Sequence, residues 1–301
     1  MIYLLSIDEQ IKNSLAIVKK FYEKSPESYE DLRALYIEFL KKRHPDVAAL
    51  FSYGKIQFIT DRVLAEPFLK KATKQDSSLV DDLNQGNIID VGLSDVDSSQ
   101  ISLMSDALQS LKSSYTEFYN AVELVIPSVV FLGSTKAKGG SFSGLLGIIW
   151  CGIHKDWSIK DYEEFWIHEA THHFLFLDEI VHEHYDYEIF ANKENWSQSA
   201  ILNMRRPLDK VLHSIAVAIE VISYRLNILK TNSNFRTKPH PETSIIFKQI
   251  EGSLLSLDEA LSKSPTMLKD RGYYLVNLYK YKYEVLKEQW LRNLEDSKEI
   301  A

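Results

Sequence analysis

The chain is poor in the residues that cross-link a fold or turn the backbone. Cys151 is its single cysteine, so no internal disulfide can form, which is typical of a protein from a reducing compartment. The 301 residues include only 11 glycines and 8 prolines. This scarcity favours long helices over a many-stranded β-sandwich.

The sequence also lacks the features of nucleic-acid-binding and membrane proteins. Its formal net charge is -7, so we expect neither nucleic acid nor an anionic membrane as a partner. No stretch approaches the run of about 18 apolar residues that spans a bilayer. The first nine residues have neither the basic region nor the long apolar region of a signal peptide. We therefore expect a cytoplasmic protein, and the composition leaves its oligomeric state open.

Apolar periodicity predicts a mainly α-helical fold with a small antiparallel β element. Residues 8–115 have the spacing of successive amphipathic helices, with a surface loop rich in Ser and Asp at 90–105. Two apolar segments, 122–132 and 143–150, are predicted to be strands. They are expected to pair as a hairpin around the loop 133–140.

Three later helices are predicted from their boundaries. Ser158-Ile159-Lys160-Asp161 matches a capping box, so a helix should begin near Ile159 and continue beyond Asp178. A second helix should begin at Pro207 and end near Lys230. A long final helix is expected from about Leu268 to Leu294.

These elements suggest three regions within one compact unit. Residues 1–115 are predicted to be a helical N-terminal region and residues 231–301 a helical C-terminal region. Residues 116–230, which include His168-Glu169-Ala170-Thr171-His172, are predicted to be a metal-binding catalytic core. The small β element is expected to lie beside the helix that carries the metal motif, as in zincin enzymes.

The central motif is His168-Glu169-Ala170-Thr171-His172. Residues four apart project from one face of a helix, so the two imidazoles can hold one metal ion. Glu169 lies about 100° round the same helix, where it can reach a metal-bound water or a neighbouring ligand. This pattern predicts a metal centre, and an ordinary polar helix face is the alternative.

A third ligand is needed, and the residues alone leave it open. His213 lies in an apolar helical segment, where a lone histidine is more often a core residue than a ligand. Asp178 has the spacing of a metzincin ligand, but a continuous helix would turn it away from His172. Glu188 and Glu194 are gluzincin-like candidates in a polar stretch that is expected to be solvated.

Part of the chain, residues 140–230, resembles a known family. The segment Trp166–His172, followed by Arg206-Pro207-Leu208 and then Val211-Leu212-His213-Ser214, is similar to the HExxH-type peptide-modifying enzymes found beside ribosomally made peptides. The resemblance implies an Fe(II)- and 2-oxoglutarate-dependent peptide β-hydroxylase with a peptide substrate. It also implies that His213 is the third ligand.

The roles of the remaining residues follow from this resemblance. Three protein ligands leave iron positions for 2-oxoglutarate and O₂. Arg206, with Arg205 beside it, is expected to bind the distal carboxylate of 2-oxoglutarate. In the alternative, a zinc metallopeptidase, Glu169 would be the general base that activates water. A binding protein with a vestigial site is a third possibility.

Overall fold

Helices make up most of the molecule. The computed structural model describes residues 6–22, 25–74, 88–93, 96–190, 192–231 and 234–299. The α-helices found there are α1 (Ile7–Phe21), α2 (Tyr29–Arg43), α3 (Arg62–Lys74), α4 (Ser98–Ser114), α5 (Thr116–Val125), α6 (Ile159–Val181), α7 (Tyr187–Phe190), α8 (Leu208–Ser223), α9 (Thr243–Lys263) and α10 (Asp270–Glu299). The expectation of a mainly α-helical protein with a small β element is confirmed.

The strands form two small sheets. They are β1 (Gln57–Ile59), β2 (Ser128–Phe131), β3 (Gly139–Ser141), β4 (Ile148–Cys151), β5 (Ser197–Gln198) and β6 (Arg205–Arg206). The first sheet has the order β1-β2-β4-β3, in which β1 and β4 both pair with β2 in parallel and β3 pairs with β4 in antiparallel. The second sheet is the antiparallel pair β5 and β6.

The predicted hairpin is wrong. The segments 122–132 and 143–150 contribute β2 and β4, which pair in parallel, with Ser128 opposite Ile148. The chain leaves β2, forms β3 at the end of the predicted loop 133–140, and returns as β4 between the two. Every residue of β2 and β4 is buried. Such continuous apolar runs are typical of central parallel strands rather than of half-exposed hairpins.

The predicted loop at 90–105 is shorter than expected. Helix α4 begins at Ser98, where the Asp97 side chain accepts a hydrogen bond from the Ser99 backbone N–H. Met104 and Ala107 of this helix are fully buried. Burial of this apolar face outweighs the weak helix propensity of the serines.

The three helices predicted from their boundaries are present. The Ser158 hydroxyl accepts a hydrogen bond from Asp161 N, and the Asp161 carboxylate accepts one from Ser158 N, so the capping box at the start of α6 is confirmed. Helix α8 follows Pro207 and continues as one π-helical segment, Tyr224–Leu229. The final helix, α10, includes most of the predicted range.

The chain forms two compact units that divide between Val181 and His182. The first contains α1 to α6 and the four-stranded sheet, and the second contains α7 to α10 with β5 and β6. The division falls within the predicted core region 116–230.

Helix α6 is held on several sides within the first unit. It packs against α1, α4, α5 and β3. The Trp166 indole donates a hydrogen bond of 3.2 Å from Nε1 to the Met104 carbonyl of α4. The Phe174 ring meets Phe118 of α5 edge to face, with 6.0 Å between the ring centroids. The helix that carries the histidine motif is therefore a core element with a well-defined rotation about its axis.

One helical run in the described residues is long and apolar enough to cross a membrane. It is Leu208–Leu229, which comprises α8 and the π-helical segment that follows. Nearly all of it is buried within the protein, as in the core helix of a folded domain.

Candidate metal centre

The motif histidines converge on each other from successive turns of α6. The Nε2 atoms of His168 and His172 lie 3.3 Å apart. Their ring centroids are 5.0 Å apart, and the ring planes are tilted by 59°. The four-residue spacing on a regular helix brings the two nitrogens together, as the sequence predicts.

These two histidines lie on the more exposed stripe of a helix that is otherwise deeply buried. His168, His172 and Phe176 are partly exposed, whereas most residues of α6 between Asp161 and Asp178 are buried. Phe176 stacks against His172, with ring planes 19° apart. An ion or ligand can therefore approach the nitrogens along this stripe.

The spacing of the two nitrogens suits a shared metal ion. Two nitrogens about 2.0–2.1 Å from one tetrahedral ion are roughly 3.3 Å apart, and the separation in an octahedral site is roughly 3 Å. The observed 3.3 Å between His168 and His172 is within a small ring rotation of both values. In the absence of an ion, the same contact is a hydrogen bond in which one Nε2–H donates to the other Nε2.

Glu169 is buried beside this pair. Its Oε1 lies 4.0 Å from His168 Nε2, and its Oε2 accepts a hydrogen bond of 2.7 Å from the Ser141 hydroxyl. Burial raises the pKa of Glu169 to about 8, and the Ser141 hydrogen bond partly opposes that rise. A carboxyl with a pKa in this range can accept or donate a proton near neutral pH.

Cys151 and His173, which lie on the sheet side of Glu169, are buried and uncharged. Burial raises the pKa of the Cys151 thiol well above its usual range, and the charge of Glu169 adds to the effect. A thiol of this kind is not an activated nucleophile, and Cys151 is buried in β4. Burial lowers the pKa of His173 to about 4, although a hydrogen bond with the Ile148 backbone opposes this. His173 therefore packs as a neutral imidazole.

His213 lies in the second unit, on α8, and is buried. Burial lowers its pKa well below the usual value, and Lys210 and His184 lower it further. The imidazole is therefore neutral, which is the form that binds metals. His184 lies in a charged stretch of the sequence, yet its side chain is fully buried.

The acidic candidates for a third ligand lie in different surroundings. Asp178 is fully buried and accepts a hydrogen bond of 3.1 Å from Asn13 Nδ2 of α1. Because α6 is continuous to Val181, Asp178 is six residues past His172 and on a different face. Glu188 and Glu194 are exposed, as expected of a solvated stretch.

The two arginines of the second unit form strand β6. Arg205 donates a hydrogen bond from Nη2 to the Trp196 backbone carbonyl, so its guanidinium fastens the adjoining loop. Arg206 is half-buried, pairs with Ser197 in the sheet and directly precedes Pro207, the N-cap of α8. Arg206 is therefore the arginine that adjoins the helix carrying His213, and its role in binding a ligand carboxylate stays a prediction.

The structure completes only part of the predicted ligand set. Across the described ranges of the chain, no group of three or more His, Cys, Asp or Glu side chains is arranged to hold a metal ion. His168 and His172 supply two convergent nitrogens in the first unit, and the role of His213 as third ligand stays a prediction.

Ser141 is a member of this site that the sequence does not indicate. It follows Gly139-Gly140, a pair predicted as part of a loop, and it is separated from Glu169 by 28 residues. No local pattern signals a contact of this kind, because it depends on the edge strand β3 lying against α6.

The chain was compared with models of known protein families and with curated protein sequences. Neither comparison finds a match.

Proposed function

We propose that this protein is a metal-dependent enzyme that uses Fe(II) and 2-oxoglutarate to hydroxylate a residue of a ribosomally synthesised peptide at Cβ, in the cytoplasm. One observation carries the metal part of the proposal. The Nε2 atoms of His168 and His172 lie 3.3 Å apart on an accessible stripe of an otherwise buried helix. The resemblance of the motif and of the Arg-Pro-Leu segment to HExxH-type peptide β-hydroxylases supports the choice of iron and co-substrate.

The proposed roles of the side chains are as follows. His168 and His172 would hold the ion as neutral imidazoles, and the resemblance implies that His213 is the third ligand. Bound Fe(II) with 2-oxoglutarate supplies the oxidising chemistry for the C–H bond. Arg206 binds the far carboxylate of 2-oxoglutarate through its planar guanidinium, since a buried carboxylate needs a cationic partner.

A peptide substrate suits the edge strand beside the motif. Strand β3 is at the end of the sheet order, and in the described part of the chain its ladder partner is β4 alone. The outer backbone groups of an edge strand can pair with an extended peptide. Ser141 of β3 contacts Glu169 directly, so a peptide paired with β3 would lie next to the proposed metal position.

A zinc-dependent peptidase of the zincin type is the second candidate, because of the position of Glu169. Its Oε1 is 4.0 Å from His168 Nε2, and burial raises its pKa to about 8. A carboxylate so close to a metal ligand can take a proton from a metal-bound water. In the hydroxylase this residue has no proton-transfer role, and it orients a ligand or a water.

The two candidates differ in the metal and the co-substrate that they require. Protein purified without oxygen is divided into Fe(II)-loaded, Zn²⁺-loaded and metal-free samples. When O₂ is then admitted, the hydroxylase is expected to convert 2-oxoglutarate to succinate and CO₂ only in the Fe(II)-loaded sample, as measured by mass spectrometry. A His168→Ala/His172→Ala variant provides the background rate.

Other outcomes would replace the proposal. Cleavage of a mixed peptide library by the Zn²⁺-loaded sample, with no succinate from the iron-loaded one, would establish the peptidase. If the wild-type protein retained neither metal after dialysis, the chain would be a binding protein with a vestigial motif.

A further inference from the structure

We propose that Ser141 is a positioning residue of the metal centre, which holds the Glu169 carboxyl in one orientation beside His168 and His172. This inference rests on the proposed metal site. The Ser141 hydroxyl lies 2.7 Å from Glu169 Oε2 and 3.4 Å from the Glu169 backbone carbonyl. The shorter contact is the principal hydrogen bond, because a hydroxyl has a single proton to donate.

The hydrogen bond decides which carboxyl oxygen faces the histidines. With Oε2 bound to Ser141, Oε1 is the oxygen that points toward His168 Nε2, at 4.0 Å. A glutamate side chain has several rotamers, and a buried carboxyl that loses its partner pays a desolvation cost. The Ser141 hydroxyl restricts Glu169 to one rotamer and also donates a hydrogen bond to its buried carboxyl.

Ser141 can act in this way because close packing determines the position of β3. A Cβ on Gly139 would come within 2.4 Å of the Phe165 ring, and one on Gly140 within 2.6 Å of Trp150 Nε1. The two glycines therefore let the strand lie directly on these rings. Ser141 then pairs with Ile149 of β4 in a ladder that sets its height above α6. A site residue supported by packed, regular elements keeps its geometry.

The inference requires that loss of the hydroxyl changes the metal surroundings without removing the ion. Ser141→Ala removes the hydroxyl and Ser141→Thr keeps it. Ser143→Ala is the matched control, since Ser143 is exposed and lies two residues further along the chain. Wild type and these three variants are studied as the full chain. They are examined first metal-free and then loaded with Co²⁺ as a spectroscopic probe.

Two readouts are taken. The metal-free proteins carry ¹³C at the glutamate side-chain carboxyl, and the Glu169 signal is identified as the one missing from Glu169→Gln. The Co²⁺-loaded proteins are compared by visible absorption and metal content, and the Fe(II)-loaded proteins by the rate at which they form succinate from 2-oxoglutarate. We expect Ser141→Ala to shift the Glu169 signal and the Co²⁺ bands, to keep wild-type metal content, and to lose about 10- to 100-fold in kcat of the iron form. Ser141→Thr should restore all of these, and Ser143→Ala should match wild type.

Each other result is decisive. An unmoved Glu169 signal in metal-free Ser141→Ala overturns the positioning role, whatever the metal does. A shifted signal with unchanged Co²⁺ bands also overturns it, because the hydrogen bond would then have no effect on the ion. If the signal shifts but wild type binds no Co²⁺, the proposed metal function fails and the role of Ser141 in it fails too, while the hydrogen bond stands.

Discussion

Asn13 and Asp178 join α1 to α6 through a buried hydrogen bond of 3.1 Å between Asn13 Nδ2 and Asp178 Oδ1. Both side chains are almost wholly shielded from solvent. This contact explains why an aspartate with metzincin-like spacing serves the fold instead. It fastens the C-terminal part of the motif helix to its neighbour, so its loss should reduce stability and leave the metal site intact.

Asn13→Ala is accordingly expected to lower the free energy of unfolding by about 1–3 kcal/mol, because a buried carboxylate loses a donor. Urea denaturation measures the change. Lys19→Ala, an exposed substitution on the same helix, should stay within about 0.5 kcal/mol of wild type. Equal stability of the two variants would show that the Asn13 hydrogen bond contributes nothing net.

The metal ligands are tested by single substitutions. His168→Ala and His172→Ala should each abolish metal retention after dialysis, because the remaining ligands hold a divalent ion poorly. Asp178→Asn should retain the ion, and so should His182→Ala, which changes an exposed histidine. Elemental analysis of each protein gives the metal content. Full occupancy in either motif variant would refute the assignment.

Arg206 separates the hydroxylase from the peptidase. Arg206→Ala should weaken 2-oxoglutarate binding by about 2–4 kcal/mol, and Arg206→Lys by less, because lysine keeps the charge but not the planar fork. Arg205→Ala is the comparison. Its guanidinium donates to the Trp196 carbonyl, so it should affect stability more than affinity.

Anaerobic titration of the Fe(II) proteins, followed by calorimetry, measures these affinities. The same affinity for wild type and Arg206→Ala would remove Arg206 from the site. No detectable binding of 2-oxoglutarate to wild type would remove the hydroxylase itself.

His44 gives the first unit a predictable dependence on pH. Burial lowers its pKa to about 4, with smaller effects from Lys71 and Arg43, whereas an unfolded histidine titrates near 6.5. Below pH 6.5 the unfolded chain therefore binds a proton that the folded protein does not. The contribution of His44 to the free energy of unfolding should therefore be constant above pH 6.5. It should fall as the pH is lowered toward 4.

His44→Leu should remove that contribution. The free energy of unfolding of this variant should therefore decline less steeply than that of wild type between pH 6.5 and 4, and the difference in slope should approach the uptake of one proton. Denaturation curves at a series of pH values give the comparison with wild type. His182→Leu, at an exposed position, should follow the wild-type slope. Parallel curves for wild type and His44→Leu would contradict the prediction.

The packing of β3 is tested at Gly140. Gly140→Ala puts a methyl group within 2.6 Å of Trp150 Nε1, and overpacking of this kind costs about 1–3 kcal/mol. Gly54→Ala is the control, since a Cβ there meets no atom within 4 Å. Thermal unfolding of both variants should show a loss confined to Gly140→Ala. A neutral result at Gly140 would mean that the strand can shift freely.

The features that the sequence predicts correctly are those with local causes. The start of α6 follows from the capping box of Ser158 and Asp161, whose atoms lie within one turn. Burial of Cys151 follows from the apolar residues next to it. Helix α8 begins after Pro207, where a missing N–H costs no hydrogen bond.

The features that it misses depend on distant partners. Strands β2 and β4 were expected to form a hairpin because they are close in sequence, but burial on both faces favours a central parallel pair. His184 has charged neighbours in the sequence, which are typical of an exposed segment, yet it is fully buried. Neither outcome can be read from nearby residues, since each depends on which element covers the segment.

The candidate site also combines one feature with a local cause and one that depends on a distant partner. The sequence by itself determines that His168 and His172 share one face, because a four-residue spacing on any regular helix brings two side chains together. The hydrogen bond from Ser141 to Glu169 was decided only by the tertiary structure. Strand β4 inserts between β2 and β3, which leaves β3 at the sheet edge against α6. Strand order of this kind follows from burial of apolar faces across the whole unit, and no local propensity encodes it.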